Sequence, residues 1–293
     1  MEHKYFWLPA TPIQRQEAKK NNPVSQSFEH IGKNPEEIPD DIVNRLERIE
    51  LYSRFNEASR RIEVAYAKLL PEIAKLFKVS FSAEETQEAR LGVLLHDVGK
   101  IGPPEADREA QKMIIELFAE DKFLKPTTLI RDAVVLRFGQ AREEEVMKIL
   151  LAHGLTEGST MLDFWNAHSE WGNALLEIYK NELPELTRLV AASHHMGRNK
   201  GTGPNPFDLP VTLDRPVMET YVVMKKKYLL ALLLIVLDKL EAIDGRGTGR
   251  HGSVEAILQN EGFDRNSYMQ KIVTLVKEKS QDPNFFTIEY LKL

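Results

Sequence analysis

The chain has 293 residues, of which 42% are hydrophobic and 28% are charged, a composition typical of a globular protein rather than a disordered one. It contains no cysteine, which excludes disulfides, thiolate nucleophiles and every metal site that needs a cysteine ligand. A formal net charge of −5 predicts no binding to duplex nucleic acid or to an anionic membrane. Any metal must therefore bind to histidine and carboxylate, which suit Mn, Fe, Mg or Zn.

The N-terminal region is polar and has five prolines in its first forty residues. We expect it to form an extended or partly helical arm, which we assign to residues 1–50. Residues 1–12 lack the basic and apolar segments of a secretory signal. The most apolar stretch, Leu229–Leu237, is too short to cross a bilayer and predicts a buried helix. Together these features predict a cytoplasmic protein.

After the arm, hydrophobic residues recur at helical spacing, most clearly in the segment 62–70. Pro71 is expected to kink or restart that helix. Ser82 and Glu85 match the capping-box pattern, which predicts the start of a helix that runs into His96. Further helices are predicted at 105–120, 142–152, 161–181, 183–195, 218–243, 252–259 and 266–279.

Strand patterns are scarce, and the one candidate is a short pair between residues 124 and 139. A loop rich in glycine and proline is expected at 197–216. The sequence therefore predicts an all-α fold with one principal domain at 51–280. This domain contains a helical insertion at about 106–152 and is followed by a C-terminal tail at 281–293.

Two pairs of chemically active residues stand at predicted helix ends. Asp97 follows His96 and can bridge two cations, while Lys100 lies one turn further on, where an ammonium can meet a phosphate oxygen. His194 and His195 close another helix. Neighbouring imidazoles on a helix project about 100° apart, so this pair can serve two cations or one cation and a substrate.

Two further candidate ligands lie in helices that are otherwise apolar. His168 shares its helix with Leu175 and Leu176, and Asp238 interrupts the most apolar run of the chain. A buried carboxylate needs a partner, and a cation is one such partner. The alternatives are a histidine packed in the core and an aspartate on the surface.

The order of these motifs resembles that of a known family. The string LLHDVGK, then His168, then the His194-His195 pair, then LDKLEA around Asp238 is similar to HD-domain metal-dependent phosphohydrolases. The branch most similar is HD-GYP, the cyclic di-GMP phosphodiesterases. The resemblance covers residues 55 to 275. It implies an HD-domain helical bundle around divalent metal ions (Fe, Mn or Mg), two of them or one.

The resemblance also implies a role for each matching residue. Asp97 would bridge the two metals, and Lys100 would contact the scissile phosphate. Arg246 and Arg250 flank a second glycine loop and would help to bind the substrate. The remaining metal ligands would be His96 and Asp238 at one position, and His168, His194 and His195 at the other.

The sequence departs from the HD-GYP pattern at its first ligand. That branch has a histidine on the helix before HDxGK, near Ala58 or Ser59, but no histidine lies between His30 and His96 here. Glu57 or His30 could take its place, or the position could lack this ligand.

The sequence departs from that pattern in two further places. The tyrosine of the GYP loop is replaced by Gly203, which weakens the case for cyclic di-GMP in particular. The 72 residues from His96 to His168 exceed the spacing in that branch, which implies the insertion. His153 at the end of the insertion is either an added ligand or a surface residue.

These features lead to one main hypothesis and two alternatives. The main hypothesis is a metal-dependent phosphohydrolase that hydrolyses a nucleotide or cyclic-dinucleotide phosphoester through a metal-activated water. The first alternative is a degenerate HD-GYP-like module that binds a nucleotide or a partner protein in signalling. The second is a diiron oxygenase on the same scaffold. A homodimer or a signalling partner is compatible with the resemblance.

Overall fold

The fold is described from a computed structural model, which covers residues 22–119, 124–195, 222–246, 253–256, 263 and 266–290. These residues are mainly helical and contain no β-strand, so the all-α prediction is confirmed. The α-helices are α1 (Pro23–His30), α2 (Asp40–Tyr52), α3 (Phe55–Phe77), α4 (Ala83–Leu95), α5 (Arg108–Ala119), α6 (Ile130–Phe138), α7 (Glu143–Ala152), α8 (Met161–Ile178), α9 (Glu185–Ala192), α10 (Val222–Arg246) and α11 (Ser267–Lys279). Short 3-10 helices are Pro35–Glu37, Val98–Ile101, Gln140–Arg142 and Ser193–His195.

Helix α4 lies between two clusters of buried hydrophobic side chains. Ala89 and Val93 belong to the cluster that α4 forms mainly with α3, α9, α10 and α11. Leu91, Leu94 and Leu95 belong to the cluster formed mainly with α1, α2 and α5 to α8. Because both faces of α4 are buried, its C-terminal end is held at the junction of the two clusters.

Helix α10 supplies the most apolar segment of the interior. Every side chain from Tyr228 to Leu237 is buried, which confirms the predicted buried helix. Burying one leucine contributes about 1.5–3 kcal/mol, so this segment is a main source of stability. None of the helices in the described ranges combines the length and apolarity needed to cross a membrane.

Two local predictions have opposite outcomes. The capping box of α4 is confirmed, because Ser82 Oγ accepts from Glu85 N and the Glu85 carboxylate accepts from Ser82 N. The strand pair between residues 124 and 139 is wrong, because most of that segment forms α6. One isolated antiparallel bridge joins Leu129 to Thr160. The buried residues of α6 are spaced as in a helix: Ile130, Ala133 and Val134.

Part of the predicted arm packs into the core. Val24 and Phe28 of α1 are buried in the same cluster as Ile42 and Ile49 of α2. Pro23, Pro35 and Pro39 lie at the starts of short helices, so the described part of the arm is helical. Pro71 lies inside α3, which continues to Phe77.

Helices α5 to α7, which correspond to the predicted insertion, contribute to the same cluster as α1 and α2. The predicted loop at 197–216 and most of the predicted helix at 252–259 lie outside the described residues.

Candidate metal centre

The first part of the centre is the turn that follows α4. His96 and Asp97 come directly after the last helical residue, and the 3-10 helix Val98–Ile101 follows them. Both side chains are buried. Lys100 reaches back from this 3-10 helix and donates from Nζ to Asp97 Oδ2 at 2.6 Å. This turn therefore places an imidazole, a carboxylate and an ammonium at the junction of the two clusters.

Glycine brings this turn against α8. A Cβ built on Gly99 would lie 2.0 Å from the carbonyl oxygen of His168 and 2.4 Å from the backbone nitrogen of Gly172. Any side chain at Gly99 would therefore push α8 away from the turn. The absence of a side chain allows the imidazole of His168 to reach Asp97.

The histidines of α8 and of the 3-10 helix after α9 meet beside Asp97. The Nε2 atoms of His168 and His194 are 3.1 Å apart, and His168 Nε2 is 3.4 Å from Asp97 Oδ1. One ring nitrogen from each of His168, His194 and His195 lies within 4.8 Å of the others. All three histidines are buried.

Backbone carbonyls orient three of these imidazoles. The Nδ1 atoms of His96, His168 and His194 each lie within hydrogen-bonding distance of the carbonyl oxygen three residues earlier. Because a carbonyl oxygen only accepts, each Nδ1 must carry the hydrogen. When the ring is neutral, Nε2 then presents its lone pair to the centre, which is the orientation found in metal-ligating histidines.

The short distance between His168 Nε2 and His194 Nε2 requires a positive charge between them. Burial, followed by the charges on His96 and His168, lowers the pKa of His194 well below its ordinary value, so His194 is neutral. Two facing lone pairs at 3.1 Å repel unless a proton or a cation lies between them.

Asp97 and Asp238 form a second group around His96. His96 Nε2 is 3.4 Å from Asp97 Oδ2 and 3.8 Å from Asp238 Oδ1, which comes from α10. This buried nitrogen makes no hydrogen bond to any described residue. Since Asp97 Oδ1 faces His168 and Oδ2 faces His96, its carboxylate has the geometry of a bridge between two positions.

The charges of this group stabilise one another. Burial alone would lower the pKa of His96, but Asp97 and Asp238 outweigh it and raise the pKa above its ordinary value. Burial alone would raise the pKa of Asp97, but His96 and Lys100 hold it well below its ordinary value. Lys239 and His96 likewise overcome burial and hold the pKa of Asp238 well below its ordinary value. Both carboxyl groups are therefore ionised and able to bind a cation.

An aromatic ring holds the ammonium of Lys100. Lys100 Nζ lies 4.2 Å from the ring centroid of Phe55, the first residue of α3. Phe118 of α5 packs edge-on against Phe55 and also against His168. Phe118 of α5 thus lies beside the centre. Sequence reasoning missed both phenylalanines, since nothing in their local sequence distinguishes them from other core residues.

The structure brings together most of the predicted site residues and leaves others apart. The residues that converge are His96, Asp97, Lys100, His168, His194, His195 and Asp238. Arg246 ends α10 and Arg250 lies outside the described residues, so neither is placed relative to the centre.

The proposed substitutes for the absent histidine have other surroundings. Glu57 is exposed, and His30 stacks on Tyr290. His153 at the end of α7 lies 3.6 Å from Glu105. We therefore take none of the three as a ligand.

Comparison with known proteins gives no match. No family model, no curated protein and no solved structure is similar to this chain at a significant level. A functional assignment therefore depends on the geometry of the centre and on the chemistry of its residues.

Proposed function

We propose that the protein is a metal-dependent phosphohydrolase that cleaves a nucleotide or cyclic-dinucleotide phosphoester. The observation that carries this proposal is the convergence of imidazole nitrogens and carboxylate oxygens around Asp97. His168 and His194 are oriented by backbone carbonyls, and their Nε2 atoms are too close for neutral rings without a cation or proton between them. The donor set, nitrogen and oxygen without sulfur, suits Mn, Fe or Mg.

The residues of the centre have distinct tasks in such a reaction. A bound divalent cation supplies a Lewis acid and lowers the pKa of water toward neutral. Asp97 offers one oxygen to each of the two positions and so fixes their separation. Lys100 carries an ammonium that can pair with a phosphate oxygen, and the ring of Phe55 keeps it beside Asp97. The buried apolar walls keep bulk water away from these charges.

Metal content tests the proposal directly. We expect the purified, unchelated protein to contain about one to two equivalents of Mn or Fe. Asp97→Ala and His168→Ala should lose this metal, because each removes a ligand from the three-imidazole position. His153→Ala is the matched control, since this histidine lies beside Glu105 and not in the centre.

Activity is then measured on a panel of nucleotide and cyclic-dinucleotide phosphoesters with Mn, Fe or Mg. Loss of Asp97 should lower kcat/KM by about 10²–10³-fold, the scale for removing one group that stabilises charge in the transition state. If Asp97→Ala and His168→Ala fold normally and keep both metal and full activity, the proposal is wrong.

One observation favours a second candidate, a nucleotide-binding or protein-interaction module without turnover. Helix α3 presents Ala58, Ser59 and exposed Glu57 where the HD-GYP branch has a histidine ligand. This candidate predicts less than one equivalent of metal, unchanged in Asp97→Ala, and no hydrolysis of any phosphoester on the panel. The metal analysis therefore separates the two candidates before a substrate is known.

A further inference from the structure

The two candidate metal positions differ in the ammonium groups that surround them. Asp97 Oδ2, the oxygen that faces His96, accepts a hydrogen bond from Lys100 Nζ at 2.6 Å. Asp238 has the same arrangement. Its Oδ1 faces His96, and its Oδ2 accepts from Lys239 Nζ at 3.1 Å. Each carboxylate of the His96 position is thus already paired with a lysine.

These two lysine pairs determine the net charge of the groups at the His96 position. Two carboxylates, Asp97 and Asp238, face two ammonium groups, Lys100 and Lys239, so their formal charges sum to zero. A divalent cation placed there would displace or repel two ammonium groups in a buried site, where charges are screened less than in water. At the other position, three imidazoles supply nitrogen donors beside Asp97 Oδ1.

The three-imidazole position also has more candidate ligands than the His96 position. The three-imidazole position has His168, His194 and His195 together with Asp97. The His96 position has one imidazole and two carboxylates. Ser59 of α3 is not one of its ligands, since it donates its hydroxyl to the carbonyl of its own helix at Phe55.

We propose that the two positions bind metal unequally: one cation binds tightly to the three imidazoles and Asp97, and a second binds at His96, Asp97 and Asp238 weakly until the phosphate of the substrate is bound. The negative charge of the phosphate draws Lys100 away from Asp97 Oδ2 and offsets the charge of the second cation. This inference rests on the proposed function and specifies how its substrate completes the site. By linkage, the second cation and the phosphate increase each other's affinity by the same factor.

Titration of the chelated protein with Mn²⁺ tests this inference, with inorganic phosphate as the probe. Calorimetry and Mn²⁺ spin resonance should find one tight Mn²⁺ and a second at least about tenfold weaker. Saturating phosphate should strengthen the second Mn²⁺ by about tenfold or more, and the spin-coupled signal of a Mn pair should appear. Phosphate affinity should rise by the same factor when Mn²⁺ is raised.

Two lysine variants test the role of the ammonium groups. Lys100→Met and Lys239→Met should each strengthen the second Mn²⁺ without phosphate by about tenfold, since each frees one carboxylate oxygen. Lys112→Met, at an exposed lysine of α5 paired with Glu116, is the control and should bind as wild type does. If one variant fails to fold, the other variant and the phosphate titration of the wild type still test the inference.

The outcomes separate this inference from the proposed function. Two equally tight Mn²⁺ ions without phosphate, in a protein that hydrolyses phosphoesters, would overturn the inference and leave the function standing. A second Mn²⁺ unaffected by phosphate and by both lysine variants would also overturn it. Mn²⁺ binding that His168→Ala leaves unchanged would contradict the proposed function itself, and the inference with it.

Discussion

At the scale of single residues, one local feature prepares His96, His168 and His194 for the centre. Each ring bonds through Nδ1 to the carbonyl three residues earlier in its own helix or turn. The orientation of the donor atom is therefore set by local backbone geometry. Such positioning lowers the free-energy cost of ordering these side chains around a cation.

Gly99 is the residue whose replacement most directly tests how closely the turn must approach α8. In Gly99→Ala the new Cβ would overlap the carbonyl oxygen of His168, which is backbone and cannot rotate away. We expect a loss of about 3 kcal/mol in the free energy of unfolding. Metal content should fall as well, because α8 carries His168 away from Asp97. Urea unfolding and elemental analysis measure the two effects.

The matched control for this variant is Gly158→Ala. A Cβ at Gly158 has no heavy atom within 4 Å and its backbone is not left-handed, so its unfolding curve should match wild type or shift slightly upward. Equal stability of the two alanine variants would show that the turn and α8 are not in close contact.

The sequence predicts most of the residues that converge around Asp97, for a physical reason. His96 and His194 stand at helix ends, and Asp238 interrupts an apolar helix, so each is a polar side chain beside a run of apolar residues. Phe55 and Lys239 could not be recognised in this way. The position of Phe55 under Lys100 depends on the packing of α3 against the turn after α4, which no local pattern reports.

At the scale of elements, α2 holds the segment that follows the 3-10 helix of the centre. The guanidinium of Arg45, which is 1% exposed, donates to the carbonyl oxygens of Gly102, Pro103 and Pro104. Its Nε also pairs with Asp41 on the same helix. The prolines have no N–H to close a helical turn, so the side chain of a different element takes over the role of fixing this backbone.

Replacing this side chain should loosen the turn. Arg45→Met keeps the apolar stem but removes the donor to the carbonyls of Gly102 and Pro104 and one of two donors to that of Pro103. We expect a loss of about 3 kcal/mol in the free energy of unfolding. Arg142→Met, at an exposed arginine paired with Glu145, should leave the unfolding midpoint unchanged. Thermal and urea unfolding measure both. An Arg45→Met protein as stable as the Arg142 variant would contradict the role assigned to α2.

The sequence predicts a helix well where the helical hydrophobic period continues over many turns. The predicted helices 161–181 and 218–243 overlap most of α8 and α10. Helix α6 was missed because its nine residues, Ile130–Phe138, offer too few turns to distinguish a period of 3.6 from a period of 2. Its first residues also follow Leu129, which does make one bridge to Thr160.

At the scale of the whole molecule, the first and last described segments pack against the interior, although their composition does not predict it. Helix α1 has few apolar residues, yet Phe28 is fully buried. The segment after α11 returns to the same side of the molecule, where the ring of Tyr290 stacks on His30 at 3.7 Å. Both regions were interpreted as an arm or a tail because neither has a sustained hydrophobic period. The burial of Phe28 depends on neighbouring residues of α3 and α4, such as Ser59 and Leu94.

Glu63 of α3 is the charged residue at which these regions meet. It is fully buried, its Oε1 accepts from Arg90 Nε of α4 at 2.6 Å, and its Oε2 lies 3.8 Å from His30 Nε2 of α1. Burial raises the pKa of Glu63, and Arg90 offsets only part of that rise. Tyr290 also lies close enough to feel the charge of Glu63.

Stability should therefore depend on pH through Glu63. Because the pKa is raised in the folded state, the contribution of Glu63 is fully present below the pKa of the unfolded chain and is lost as pH rises through the folded value. Compared with Glu63→Gln, the wild type should gain free energy of unfolding as pH falls from 7 toward about 5. Urea unfolding of both proteins across this range gives the difference directly. Glu57→Gln, at an exposed position of the same helix, controls for the loss of one carboxylate. If the difference between wild type and Glu63→Gln stays flat or changes in the opposite direction, Arg90 stabilises the charge of Glu63 more than burial opposes it.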